Sequence, residues 1–219
     1  MSCKISKLTL LPAAVLLLGT MALAQDSSPS SSSATRSSSA PASTTAKPGE
    51  VAQRKENQQD RIANGVKSGQ LTAGETANLE TKEAAINGET RADRAANGGK
   101  LTAAEKQQVN QQQNRLSGQI YADKHNANTA HYGNNQVGQR RQNQQDRIAQ
   151  GIKSGQLTAG ETSKLENQQK NINQQVKADR AANGGKLTPG EKQQVNKEQN
   201  GASRNIYDKK HNAKTQGNK

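Results

Sequence analysis

Three histidines, two glutamates three positions apart, a crowd of late lysines and a Gly-Thr-Glu element written four times are the residues whose types and spacing could do chemistry. His125 follows Tyr121 by four residues, and His211 follows Tyr207 by four, so each pair shares one helical face. A repeated Tyr-x-x-x-His could hold a metal or a phosphate. The plainer reading, which we prefer, is a ring packed on a helix end with an imidazolium favoured by the C-terminal dipole. His131 makes no recognised metal spacing with His125 and has no later counterpart, since Gly217 stands there. No metal ligand and no cofactor is therefore expected. Glu80 and Glu83 are paired carboxylates, but they read as surface residues on a solvated helix face. Gly-x-Ser-x-Gly, His-Glu-x-x-His and a phosphate-cradling Gly loop with Lys-Ser/Thr are all missing, so no catalytic residue is named and no enzyme is expected.

The repeated element is Gly-x-Leu-Thr-x-x-Glu, at Gly69–Glu75, Gly99–Glu105, Gly155–Glu161 and Gly185–Glu191. It resembles the back half of an EF-hand calcium loop, with glycine at position 6, an aliphatic residue at 8 and glutamate at 12. The front half does not follow. Positions 1, 3 and 5 would be Asn64, Val66 and Ser68, then Arg94, Ala96 and Gly98, then Gln150, Ile152 and Ser154, then Arg180, Ala182 and Gly184. No acid neutralises an ion there. A degenerate calcium-responsive protein is the alternative functional reading.

The same element has a structural meaning. Thr followed three residues later by Glu is a capping box, in which each side chain serves a free backbone N–H of a helix start. Thr72 and Glu75, Thr102 and Glu105, Thr158 and Glu161, and Thr188 and Glu191 each announce a helix. From Arg54 the chain repeats with a period of 86: residues 54–130 and 140–216 share 50 identities in 77 positions without a gap. Such a repeat reads as duplication. Each unit is expected to hold three helices, at about 52–64, 73–96 and 103–125, then about 138–150, 159–182 and 189–211. Asn-Gly before each turn reads as a helix stop, since both residues tolerate positive φ. Pro189 suits a first helical position.

The fold class expected is all-α: two tandem three-helix units with a marginal core. Apolar residues are only 29% of the 219, and aromatic residues 1%, against about 45–50% apolar in an ordinary domain. Helices without fixed packing are the competing expectation. Ahead of the units, Lys4 and Lys7 precede an apolar run from Leu8 to Met21 and a small-x-small site at Ala22-Leu23-Ala24. This is the pattern of a cleaved signal peptide over 1–24. Cys3 would leave with it. Residues 25–49, rich in Ser, Thr, Ala and Pro, read as a disordered linker. The expected organisation is then unit 1 at 50–130, a linker at 131–138, unit 2 at 139–216 and a tail at 217–219, with the product periplasmic or extracellular.

The charge is +13 overall and uneven: net +2 over 51–136 and net +9 over 137–219. Lys192, Lys197, Arg204, Lys209, Lys210 and Lys214 crowd the end, with Lys219 beyond. They are expected to contact polyanions, such as anionic envelope polymers. Another protein is the other partner class considered. With no aromatic stacking platform, no specific nucleic acid is expected.

The runs Asn57-Gln58-Gln59-Asp60-Arg61-Ile62, Ser68–Glu75 and Ile120-Tyr121 with Lys124-His125-Asn126 are similar to an uncharacterised family of small exported bacterial proteins built from duplicated units of this kind. The resemblance covers almost all of 54–216. It implies an exported, helical, repeated product and carries no activity, cofactor or site residue with it. The sequence as a whole points to a non-enzymatic interaction or envelope-associated structural role.

Overall fold

The Thr–Glu clasps form as the sequence predicts. Thr72 accepts from the Glu75 amide at 3.3 Å, and the Glu75 carboxylate accepts from the Thr72 amide at 2.9 Å. Thr102 with Glu105, Thr158 with Glu161 and Thr188 with Glu191 repeat the reciprocal pair. Each clasp satisfies two of the backbone donors that a helix start leaves open.

The computed structural model of the protein describes residues 49–216. The expected signal peptide, all but the last residue of the Ser-rich linker and the 217–219 tail lie outside the described residues. The elements are α1 (Glu50–Ser68), α2 (Ala73–Ala96), α3 (Ala103–Lys124), α4 (Gln136–Lys153), α5 (Ala159–Ala182) and α6 (Pro189–Lys210). The described residues contain no strand.

The first and fourth helices run longer than expected. Asn64-Gly65 does not stop α1; the left-handed residue is Gly69, at φ 73°. Gly65 is helical and leaves room for Leu71 to fold back onto it: a Cβ there would meet Leu71 Cδ1 at 2.7 Å. Gly151 has the same relation to Leu157, at 2.6 Å. Where Asn-Gly does end a helix, at Asn97-Gly98 and Asn183-Gly184, a second glycine follows and both glycines take positive φ.

Packing is built from like elements. α3 packs on α1 and α2, α6 packs on α4 and α5, and the two sets meet through α2 against α5 and α1 against α4. One apolar cluster therefore runs through both sets, joining Ile62, Leu71 and Leu79 to Ile148, Leu157 and Leu165. A smaller cluster around Val176 and Val195 lies within the last three helices.

The thin apolar content is supplemented by buried glutamine. Gln58 donates to the Gln113 carbonyl at 2.6 Å and to Ser117 Oγ at 2.8 Å. Gln144 donates to the Gln199 carbonyl and to Ser203 Oγ, both at 2.7 Å. Gln113 and Gln199 in turn donate to the carbonyls of Val51 and Val137. A buried amide is costly unless it is bonded, and these bonds tie helix to helix at positions 86 apart.

Candidate functional site

The carboxylates overturn a sequence expectation. Glu80 and Glu83 are not on a solvated face; both are fully buried, and so is Glu166. They face inward because α2 and α5 are covered on more than one side: by each other, by α1 or α4, and by α3 or α6. Gln59 donates to Glu80 Oε2 at 3.1 Å, and Gln145 to Glu166 Oε2 at 2.8 Å. The other oxygen of each has no hydrogen-bond partner. Burial, and after it the charges of Glu83 and Glu166, push Glu80 well above the usual carboxylate range. Burial carries Glu83 to about 7 against the opposing field of Lys55. Burial likewise carries Glu166 to about 8, the Gln145 bond opposing it. These groups are positioned to hold protons near neutrality.

One concave feature is a groove of about 520 Å³. Its walls come from the first turn of α2 (Thr72, Ala73, Gly74), the 127–132 segment, α4 (Arg141, Gln145) and α5 (Lys170, Asn173, Gln174, Lys177). The segment is held in place from both ends. Asn126 and Asn128 donate to Glu75 Oε1 at 2.8 and 3.1 Å, and the Ala130 amide donates to the Gly69 carbonyl at 2.8 Å. At its far end Gly138 passes so close to the Tyr132 and Gly133 carbonyls that a Cβ has no room.

Three cations line this groove and no carboxylate does. Arg141 stands 5.4 Å from the centroid of the half-buried Tyr132 ring, a cation–π geometry. Its Nε is buried without a hydrogen-bond partner, as is Asn173 Oδ1. Burial works against the Arg141 charge, and so does Arg180, but a guanidinium stays protonated in a protein. Burial, with the charges of Glu166 and Asp146, pushes the Tyr132 phenol up to about 12, Arg141 opposing, so it stays neutral.

The glutamates of the calcium-like element are occupied as capping acceptors. Glu75 serves Thr72, Asn126 and Asn128; Glu161 serves Thr158 and Asn212; Glu105 and Glu191 also take Asn97 and Asn183. Burial alone would raise Glu75, but these bonds outweigh it and its carboxyl lies below the usual range. Among the described residues no group of three or more His, Cys, Asp or Glu is arranged to hold a metal. Tyr121 stacks on His125 with centroids 4.1 Å apart, and Tyr207 stacks on His211 in the same way. Each His Nδ1 lies 2.7 Å from the tyrosine carbonyl and so donates its proton there.

The late cations do not form one face. At about 100° per residue, Lys197 and Arg204 share one side of α6 and Lys192 and Lys210 another. Lys210 donates to Gln150 Oε1 at 3.2 Å, and Lys209 acts on Glu161. Lys192, Lys197, Arg204 and Lys214 are exposed, and Lys219 lies outside the described residues. Lys153 aside, no cation in 137–216 forms an ion pair with a described carboxylate. The groove cations do not stand out in the sequence as a motif. Only Lys170 has a sequence signal: it lies where likeness between the copies is lost, over 81–90 and 167–176, with eight of ten positions different.

No family model, curated protein or solved structure matches the chain.

Proposed function

We propose that the protein is an exported, non-enzymatic helical repeat protein that binds anionic polymers through its last three helices. It arose by duplication of a three-helix unit and belongs with the small exported proteins its motifs resemble. The observation that carries this reading is the set of exposed cations Lys192, Lys197, Arg204 and Lys214, none in an ion pair with a described carboxylate, on the half of net charge +9. Unpaired exposed cations attract a polyanion by releasing its counterions, and such binding weakens steeply with salt. Among the described residues no helix is long and apolar enough to cross a membrane.

The test is titration with an acidic polysaccharide at rising ionic strength, using the native chain and a Lys197→Gln/Arg204→Gln variant. The expected result is affinity that falls with salt, with a shallower slope in the variant. Affinity indifferent to salt and to both substitutions would remove the reading.

A further inference from the structure

The groove shares none of the α6 cations, so it can be tested separately from them although its own cations belong to the same basic half. Three positive side chains, Arg141, Lys170 and Lys177, line a groove of about 520 Å³ with no acid in its lining, within the usual range of about 300–1,000 Å³ for small-molecule sites. Glu75, in the adjacent first turn, is turned to Thr72, Asn126 and Asn128. The Lys170 stem runs past Gly74, where a Cβ would be 3.6 Å from Lys170 Cδ. This brings the ammonium chain to the positive end of α2. The rest of the lining includes four amides, Asn128, Gln145, Asn173 and Gln174, with hydroxyls at Thr72 and Thr129 and small residues between them. Arg141 Nε and Asn173 Oδ1 are buried here with hydrogen-bonding capacity unmet by the protein, and such groups call for a specific explanation.

The matched positions 86 residues earlier show what an internally balanced version looks like. Lys55 stands for Arg141, Ala84 for Lys170, Arg91 for Lys177 and Glu83 for Gln169. There the buried Glu83 carboxylate faces Lys55, whose Nζ donates to the Gln216 carbonyl at 2.5 Å. In the later copy the acid has become a neutral amide and a new lysine has appeared beside it. The flanking stretches kept their identity, with eight of ten positions shared between 71–80 and 157–166 and nine of ten between 91–100 and 177–186.

The lining selects the ligand. Cations ask for a phosphate or carboxylate, and the amides and hydroxyls beside them suit hydroxyl groups that both donate and accept. We infer that this groove binds an anionic sugar unit, its acid group held by Arg141, Lys170 and Lys177 and its hydroxyls by Asn128, Asn173 and Gln174.

Calorimetry on the native chain with glucose 6-phosphate, galacturonate oligomers, inorganic phosphate and glucose tests this. A sugar acid should bind, while glucose should not. Preference for glucose 6-phosphate would name a free sugar phosphate as the source, and preference for the oligomers a polymer end. Lys170→Ala/Lys177→Ala, both at exposed positions, should weaken the bound sugar acid by about a hundredfold, about tenfold for each charge-assisted hydrogen bond removed. Gln169→Glu/Lys170→Ala, which installs the residues of 83 and 84, should do the same. Lys197→Gln/Arg204→Gln should leave the sugar acid untouched while weakening the polymer, which separates the two proposals. No binding of either sugar acid by the native chain, equal binding of inorganic phosphate, or indifference to Lys170→Ala/Lys177→Ala would overturn the inference.

Discussion

The surroundings of Lys55 and of Arg141 occupy matched positions, and they handle a half-buried cation in opposite ways. Around Lys55 the compensation is internal: the Glu83 carboxylate supplies a field and Gln216 a carbonyl, while Gln216 Nε2 also reaches Gln59 Oε1 at 2.6 Å. Around Arg141 the carboxylate is replaced by Gln169, which instead donates to Gln144 Oε1 at 3.2 Å. The guanidinium is left with a tyrosine face and an unmet Nε. The helices behind the two sites correspond one for one, and the Thr–Glu caps recur in both. A scaffold that is over-determined by packing lets its lining change charge without changing shape, and one copy can then face inward chemically while the other faces a ligand.

The largest effects test whether the scaffolds are equivalent. Leu71 and Leu157 are both wholly buried, each against the helical glycine six residues before it. Leu71→Ala and Leu157→Ala should each cost about 3 kcal/mol in urea unfolding, with matching values. Because one cluster contains both leucines, each should lower a single transition. Two transitions, or costs differing by more than about 2 kcal/mol, would show that the copies do not share a core.

Next in size come the buried acids. A carboxyl raised in the folded state keeps its proton while the unfolded chain loses it, so stability is full below about pH 4.5 and falls as pH rises through the folded value. For Glu83 and Glu166 that decline extends to about pH 7 and about pH 8. The melting temperature should therefore drop between pH 5 and pH 8. Glu166→Gln, which can keep an acceptor for Gln145, should flatten the drop and raise stability at pH 8 by on the order of 2 kcal/mol. A melting temperature that is flat or rising over that range would contradict the burial of charge at this site.

How much of this is legible in the sequence depends on what neighbouring residues can reveal. The Thr–Glu boxes are local, and the starts of α2, α3, α5 and α6 follow from them. The end of α1 is not local. Asn64-Gly65 has the composition of a stop, but the helix runs on to Ser68 and the glycine serves a distant contact, leaving room for Leu71. The burial of Glu80, Glu83 and Glu166 is hidden for a related reason. Polar residues at helix positions normally mark a wet face, and only the meeting of α2 with α5 turns that face inward. The glutamines mislead in the same sense. Gln58 is four residues before Ile62 and eight before Val66, so it continues the buried stripe, and its stem packs as a hydrocarbon while its amide crosses to α3. The groove requires knowing that 127–132 folds back across α4.

A smaller change asks whether the earlier site can be converted. Glu83→Gln/Ala84→Lys gives it the residues of the later one. The expected result is a second, weaker sugar-acid site, seen as amide shifts near Arg91, because Gln216 still covers part of Lys55. Loss of structure in the tail without any ligand response would show that the lining alone does not make the difference.

The smallest effects should come from the caps, and here the contrast runs within each copy. The Thr102 and Thr188 boxes are solvent-facing, each with one Asn side chain closing the previous helix end onto its glutamate. Thr102→Ala and Thr188→Ala should each cost about 1 kcal/mol and quicken amide exchange only in the first turn of α3 or α6. The Thr72 box also fastens the 127–132 segment through Glu75, and the Thr158 box fastens the chain end through Asn212. Thr72→Ala should therefore loosen a second place, visible as faster exchange at the Ala130 amide, whose acceptor is Gly69. It should also weaken sugar-acid binding, since that segment is one wall of the groove, whereas Thr158→Ala should not. If the two substitutions had the same effect on ligand, the groove wall would owe its position to packing around Tyr132, and the capping glutamate would be a helix start and nothing more.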